Sequence, residues 1–163
     1  MNIVNILEEI EKVDGDVYER LSPRRKAMKD FFSMGSKVAI AAMPLALGSM
    51  FKSAYGQTVP AGVINVLQYA LTLEHFEYRF YERGATLAPI PAGADRAAIQ
   101  IIRDSELAHV KFLQTVLTSV GATPVAEKAV YDFTAMGTFP TVFTDYPTFL
   151  AVAQVLEDTG VRA

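Results

Sequence analysis

The chain has 163 residues, of which 51% are hydrophobic and 20% charged, which suits one domain with a real core and excludes wholesale disorder. A net charge of −3 gives no electrostatic basis for binding nucleic acid. The chain has no cysteine, which excludes disulfides, thiolate metal sites and thiol nucleophiles, and its two histidines, His75 and His109, mean that any metal site must be mostly carboxylate.

The first 57 residues form a separate N-terminal region. Apolar residues at helical spacing among acids predict an amphipathic helix over 1–21. The pair Arg24-Arg25 then precedes the uncharged segment 38–51 and small residues near Gly56, an order that resembles a twin-arginine export signal cleaved after Gly56. This interpretation places the protein in the periplasm or cell envelope.

Two alternatives to export remain open for this N-terminal region. It can be a helical arm that packs on the domain or on a partner, in which case the protein is cytoplasmic. It can also contact a membrane through residues 38–51, although a run of 14 residues is short for a span, which needs about 20.

Residues 58–163 predict an all-α domain of long helices. Thr58 and Pro60 favour the start of a first helix over 60–83, which Gly84 ends. Asp95 caps a second helix over 96–120, which ends at Gly121.

A long connection, 121–146, leads to the last predicted helix. Helix formation in this connection is interrupted at Gly137, Pro140 and Pro147. We expect a short helix within it over 126–133. The third helix then runs from Pro147 to the end of the chain, and no segment shows the alternation of a strand.

The second helix carries a Glu-x-x-His pair, Glu106 and His109, on its apolar stripe. Positions three apart lie about 60° apart on a helix, so both side chains share one face. The neighbours of Glu106 on that face are apolar: Ile99, Ile102, Val110, Leu113 and Leu117. An unpaired buried carboxylate costs several kcal/mol, and a metal ion is the leading way to offset that cost.

The other two helices repeat this pattern. Glu74 is centred on the apolar stripe of the first helix, with Glu77 at its edge, and Glu157 shares a face of the third helix with Leu150, Ala153 and Val161. A single such glutamate is usually a rim residue whose head reaches water. Three of them, pointing into one bundle core, predict a carboxylate site for two metal ions, iron or manganese, with zinc as an alternative.

The chain resembles the ferritin-like superfamily of di-iron carboxylate proteins, and most closely the bacterial group that includes desiccation-related proteins. Three segments carry this resemblance, in this order along the chain: LTLEHFEYRFYERG, SELAHVKFL and VLEDTGVRA. The resemblance covers 58–163 and implies a four-helix bundle with a long crossover between the second and third helices. It implies Glu74, rather than the less well spaced Glu77, as a terminal ligand of one metal. It further implies Glu106 as a bridge between two metals, His109 as a ligand of the first, and Glu157 as a bridging or terminal carboxylate.

The resemblance also implies a fourth helix with a second Glu-x-x-His, which this sequence does not contain. We therefore expect either a fragment or a partner chain, such as a second copy, that supplies the other half of the site. Metal binding would then be incomplete in this chain alone, and an apolar face would favour association.

Three further residues are interpreted as structural rather than as metal ligands. His75 is expected at the edge of the stripe with no ligand role, and Tyr78 and Tyr81 are expected to be packing residues, with hydrogen bonding to the ligands or redox activity as the alternative. For the whole chain we expect iron oxidation or the detoxification of oxygen or peroxide. The alternative is a non-enzymatic bundle that serves structure or protection from desiccation stress.

Overall fold

The computed structural model describes residues 9, 10, 12, 13, 47–56, 58–86 and 89–162. Its three long helices are α1 (Ala61–Thr86), α2 (Ala94–Ser119) and α3 (Tyr146–Arg162). Residues 47–55 are also helical, and the described part of the chain contains no strand. The prediction of an all-α, ferritin-like helical bundle is confirmed.

The helix ends differ from the predicted ones for identifiable reasons. α1 passes through Gly84, so the prediction that Gly84 ends it is wrong; this glycine instead packs against the ring of Phe149. α2 begins at Ala94, which puts Asp95 in the first turn, where its charge suits the helix dipole. α3 is capped by Asp145, whose Oδ2 accepts hydrogen bonds from the Thr148 N–H and hydroxyl at 2.9 and 2.6 Å.

The connection between α2 and α3 contains no helix, so the predicted short helix over 126–133 is wrong. Tertiary contacts hold this segment instead. Glu127 pairs with Arg79 of α1, and Phe133 is buried among the rings of the core. Most helices depend on packing of an apolar face rather than on propensity, and here packing favours an irregular path.

The described residues fall into two compact units, and α1 and α2 contribute to both. The unit that we call the acidic unit contains 70–86, 89–110 and 125–162. The other, the terminal unit, contains 9, 10, 12, 13, 47–56, 58–69 and 111–124.

The acidic unit is built on an aromatic cluster, which consists of Phe80, Phe133, Phe143 and Phe149. Phe80 of α1 and Phe149 of α3 stack with centroids 4.7 Å apart and planes 6° apart. At the turn between α1 and α2, Arg96 donates hydrogen bonds to two carbonyl oxygens of the preceding segment, at 2.6 and 3.1 Å. These contacts fix all three helices of this unit around one core.

The terminal unit buries apolar residues from four parts of the chain: Ile10, Leu47, Met50, Phe51, Val59, Val63, Leu67, Leu113, Val116 and Leu117. Gln68 Nε2 donates a hydrogen bond to the Thr123 carbonyl at 2.7 Å. Within the described residues, no helix has the length and apolar character to cross a membrane. Arg24-Arg25 and 38–46 lie outside the described residues, so export and membrane contact stay predictions.

Gly84 generates a test of how α1 approaches α3. A Cβ at this position would lie 2.4 and 2.5 Å from two carbons of the Phe149 ring. We expect Gly84→Ala to destabilise the protein by about 1–3 kcal/mol in urea unfolding, because the added methyl overpacks the core.

A matched rescue identifies the cause of that loss. In the double variant Gly84→Ala/Phe149→Leu the ring is absent. The loss in free energy of unfolding should therefore be clearly smaller than the sum of the losses in the two single variants. Alanine is intrinsically favoured over glycine in a helix by about 1 kcal/mol. A Gly84→Ala variant more stable than the parent by about that amount would therefore contradict the close approach of Gly84 to the Phe149 ring.

Candidate metal centre

Helix α1 places two carboxylates on its buried face. Glu74 is 1% exposed and Glu77 is 3% exposed. The residues at helical spacing from Glu74 are buried or half-buried: Val63, Leu67, Ala70, Leu71, Tyr78 and Tyr81. Asn65 and Arg83, which the same spacing puts on the opposite face, are exposed. The stripe argument is therefore confirmed for α1, and Glu77 is deeper than the edge position expected for it.

Helix α2 brings Glu106 to the same core. Its side chain is 4% exposed, and the apolar residues that share its face are buried or half-buried, as the spacing predicts. His109 lies one turn later, with 39% of its side chain exposed. The pair therefore presents a buried carboxylate and an imidazole whose outer edge reaches the surface.

Glu74, Glu106 and His109 converge on one point, and we call them the three-ligand cluster. His109 Nδ1 lies 3.0 Å from Glu106 Oε2 and 3.1 Å from Glu74 Oε2. Each residue offers a ligand atom within 4.8 Å of the other two. Among the described residues, no other group of three such side chains is this close. Three of the four predicted ligands are thus brought together across two helices.

When no cation is bound, hydrogen bonds among the three side chains satisfy the polar atoms of the cluster. The hydrogen bonds from His109 to Glu106 and Glu74 raise the pKa of the imidazole to about 10. Burial raises the pKa of Glu74. Burial acts in the same direction on Glu106, but its hydrogen bonds with His109 and Glu74 outweigh this and lower the Glu106 pKa. Glu106 therefore carries the negative charge, His109 the positive charge, and Glu74 keeps its proton more readily than an exposed glutamate.

Glu77 lies beside this cluster, on the side of α3. Burial, followed by repulsion from Glu74 and Glu106, raises the pKa of Glu77 to about 8. Its Oε1 lies 2.9 Å from the position that a Cβ would take at Gly160. Sequence reasoning treated Glu77 as the weaker ligand candidate and did not single out Gly160. The signal available was a glycine inside α3, three residues after Glu157, where alanine would suit a helix better.

Glu157 does not join the three-ligand cluster. It is half-buried, and its Oε1 accepts a hydrogen bond from the Tyr81 hydroxyl at 2.7 Å. Leu150, expected on its buried face, is 42% exposed, so that part of the prediction is wrong, whereas Ala153 is buried as expected. The reason is that α3 packs through Phe149, which turns the centre of its apolar face away from Glu157.

The other candidates have different environments. His75 is buried rather than at an edge, and among the described residues no hydrogen-bond partner reaches its Nε2. Tyr78 is half-buried and donates a hydrogen bond to Glu82 at 2.7 Å. Tyr81 packs against Phe80 and Phe149, as expected of a packing residue, and its hydroxyl donates a hydrogen bond to Glu157.

The three-ligand cluster has the donor set of a divalent metal site. Two carboxylates and one imidazole nitrogen suit iron, manganese or zinc, and two carboxylates balance a charge of +2. The carboxylates are nearly inaccessible while the imidazole is partly exposed, which leaves an approach from the His109 side. The residues present therefore fit a metal ion.

The imidazole of His109 provides a test of this electrostatic arrangement in metal-free protein. We expect NMR of the ring to show imidazolium at pH 7 and its loss near pH 10. Because this pKa lies above the unfolded value of about 6.5, the stability that His109 contributes is complete below that pH and declines as the pH rises toward 10. The decline should be absent in His109→Gln. A ring that titrates near 6.5 would contradict the bonds to Glu106 and Glu74.

Comparison with known proteins agrees with the geometry. A sequence family described as the ferritin-like domain matches residues 62–163, which is more than half of the chain and includes all three long helices except the first residue of α1. Searches of curated proteins and of solved structures gave no match. With its helical fold and its Glu, Glu and His cluster, the chain belongs to the family of ferritin-like domains.

Proposed function

We propose that this protein binds iron at Glu74, Glu106 and His109 and supports the oxidation of Fe(II) by oxygen or peroxide. The observation that carries the proposal is the buried carboxylate pair, whose oxygens lie 3.0 and 3.1 Å from one imidazole nitrogen. Membership of the ferritin-like family supports a metal as the occupant.

The cluster suits an ion that is oxidised in place. Two anionic ligands in a poorly solvated site stabilise Fe(III) more than Fe(II), because the interaction grows with the charge of the ion. With peroxide as oxidant, two Fe(II) ions give one electron each to hydrogen peroxide, which takes up two protons and forms two water molecules. The role of the protein is to hold iron substrate with carboxylates and to provide the site with a route to solvent beside His109.

Metal binding must displace the protons that satisfy the empty cluster. His109 Nδ1 needs its lone pair to act as a ligand, and Glu74 binds a cation best when ionised. Both groups have a raised pKa, which His109 owes to its bonds with the two carboxylates and Glu74 to burial. Metal affinity should therefore rise with pH across the neutral range.

One observation favours a second candidate function. His109 already bonds both buried carboxylates, so the cluster is satisfied without a cation. A non-enzymatic bundle that serves structure or protection from desiccation stress would use these three residues as a buried polar contact. Such a protein would gain nothing from iron.

Oxygen consumption after addition of Fe(II) separates the two functions. We expect the parent protein to consume oxygen, and Glu106→Gln to slow this by at least about tenfold, since even residues that only support metal ligands are worth 10–100-fold. The matched control is Glu82→Gln, which removes a carboxylate of α1 that bonds Tyr78 and Arg79 outside the cluster.

Two results would contradict the proposed function. One is a folded parent protein that retains no iron, manganese or zinc by elemental analysis. The other is a Glu106→Gln variant with the oxygen consumption of the parent, which would move the reaction away from this cluster.

A further inference from the structure

The helix at 47–55, which we call the docked helix, packs within the terminal unit. Its side chains Leu47, Met50 and Phe51 are buried, with 5%, 9% and 1% exposed. These three residues also belong to the uncharged segment 38–51, for which export and membrane contact are predicted. We propose that docking of this helix is an autoinhibitory contact, which withholds its apolar residues from an anionic lipid surface. This inference does not depend on the metal centre.

The docked helix is amphipathic. Its buried positions share one side of the helix, and the opposite side carries exposed polar residues, Ser49, Lys52 and Ser53. The rings of Phe51 and Tyr55, four residues apart, stack with centroids 6.5 Å apart. Docking removes the apolar side from water and is therefore favourable. A helix with such faces is also suited to lie in a membrane interface, with its apolar side in the lipid.

The docked helix lies directly against the end of α2. A Cβ at Gly48 would lie 2.6 Å from the Cβ of Ser119 and would overlap the Ser119 hydroxyl. No side chain fits between the two backbones at this point, so the approach requires glycine at position 48. Docking therefore depends on a close fit that a larger side chain at position 119 would remove.

Docking and lipid contact use the same side chains and therefore exclude each other. Phe51 cannot be buried in the terminal unit and in a bilayer at the same time. A surface that binds only the released helix has its apparent affinity reduced, because only the fraction of molecules with a released helix can bind. The packed arm and the membrane contact, which the sequence leaves as alternatives, are then two states of one equilibrium.

The charge of the sequence indicates which lipid surface the released helix would contact. Residues 24–37 include five basic residues and one acidic residue, immediately before the uncharged segment. Basic residues next to an apolar run are attracted to anionic lipids, while the apolar run enters the interface. The 14 uncharged residues are short for a span, which needs about 20, and suit contact with the surface of the bilayer.

Binding of the full chain to phosphatidylglycerol vesicles, measured by sedimentation, tests this inference. Ser119→Val and Ser119→Leu enlarge the side chain that faces Gly48 and leave residues 1–57 unchanged. We expect vesicle affinity to increase with side-chain size, by at least about tenfold for Ser119→Leu. Ser119→Val provides the milder substitution if the larger one prevents folding.

Thr118→Leu is the matched control. Thr118 is exposed, and its hydroxyl, like that of Ser119, donates a hydrogen bond of 2.7 Å to a carbonyl oxygen of α2. The control therefore loses the same kind of bond without enlarging the contact with Gly48, and it should bind vesicles as weakly as the parent.

Trypsin cleavage after Lys52 measures release of the docked helix in the absence of lipid. Lys52 is exposed but lies within the helix, which must open before the protease can cut. Cleavage should be faster in Ser119→Leu than in the parent and unchanged in Thr118→Leu. Circular dichroism of each variant verifies that the long helices are intact.

Four results would overturn the inference. The first is faster cleavage of Ser119→Leu with the vesicle affinity of the parent, because release would then not increase lipid contact. The second is a parent that binds vesicles as tightly as Ser119→Leu. The third is a folded Ser119→Leu variant in which neither cleavage nor affinity changes. The fourth is equal binding of Ser119→Leu to vesicles of neutral phosphatidylcholine, which would remove the anionic surface as the partner.

Discussion

The burial of acidic side chains in a helical core is the constraint on which the rest of this structure depends. Glu74, Glu77 and Glu106 are each less than 5% exposed, and isolated charges in such positions would cost several kcal/mol each. His109 offsets part of this cost, because one imidazole nitrogen contacts both Glu74 and Glu106. Glu77 receives no comparable contact from the described residues, so the cost of burying its carboxylate is the least offset of the three.

The packing of α1 against α3 depends on two glycines, one on each helix. Gly84 of α1 lies under the ring of Phe149, and Gly160 of α3 lies against the carboxylate of Glu77. The first contact anchors the aromatic cluster, and the second admits a polar group between the helices. The close approach of α1 and α3 and the acidic site therefore depend on each other. Packing of the aromatic cluster positions the helix backbones that carry the buried carboxylates.

Much of the fold and the cluster could be predicted from the sequence, because both depend on helical spacing. The apolar stripes around Glu74 and Glu106 place these carboxylates correctly, and the i, i+3 spacing brings His109 to the same face. Contacts between distant segments leave no such signal. The irregular path over 126–133 depends on Arg79 and on the buried ring of Phe133, and neither contact can be read from local pattern.

The orientation of α3 shows the same limit. Projection around Glu157 puts Leu150 in the core, whereas the helix packs through Phe149 and leaves Leu150 exposed. Local spacing does not fix which part of the apolar surface of α3 faces the core, and here the stacking of Phe149 on Phe80 decides the rotation. That rotation is also what places Glu157 beside Tyr81 rather than within the three-ligand cluster.

The central claim is that Glu74, Glu106 and His109 hold a metal ion. Anomalous diffraction at the zinc edge, from crystals of the protein grown with Zn(II), tests it most directly. The account predicts an anomalous peak about 2.0–2.2 Å from His109 Nδ1 and from one oxygen of each carboxylate. A peak bound only by other residues, or none at this cluster while its side chains are ordered, would contradict it.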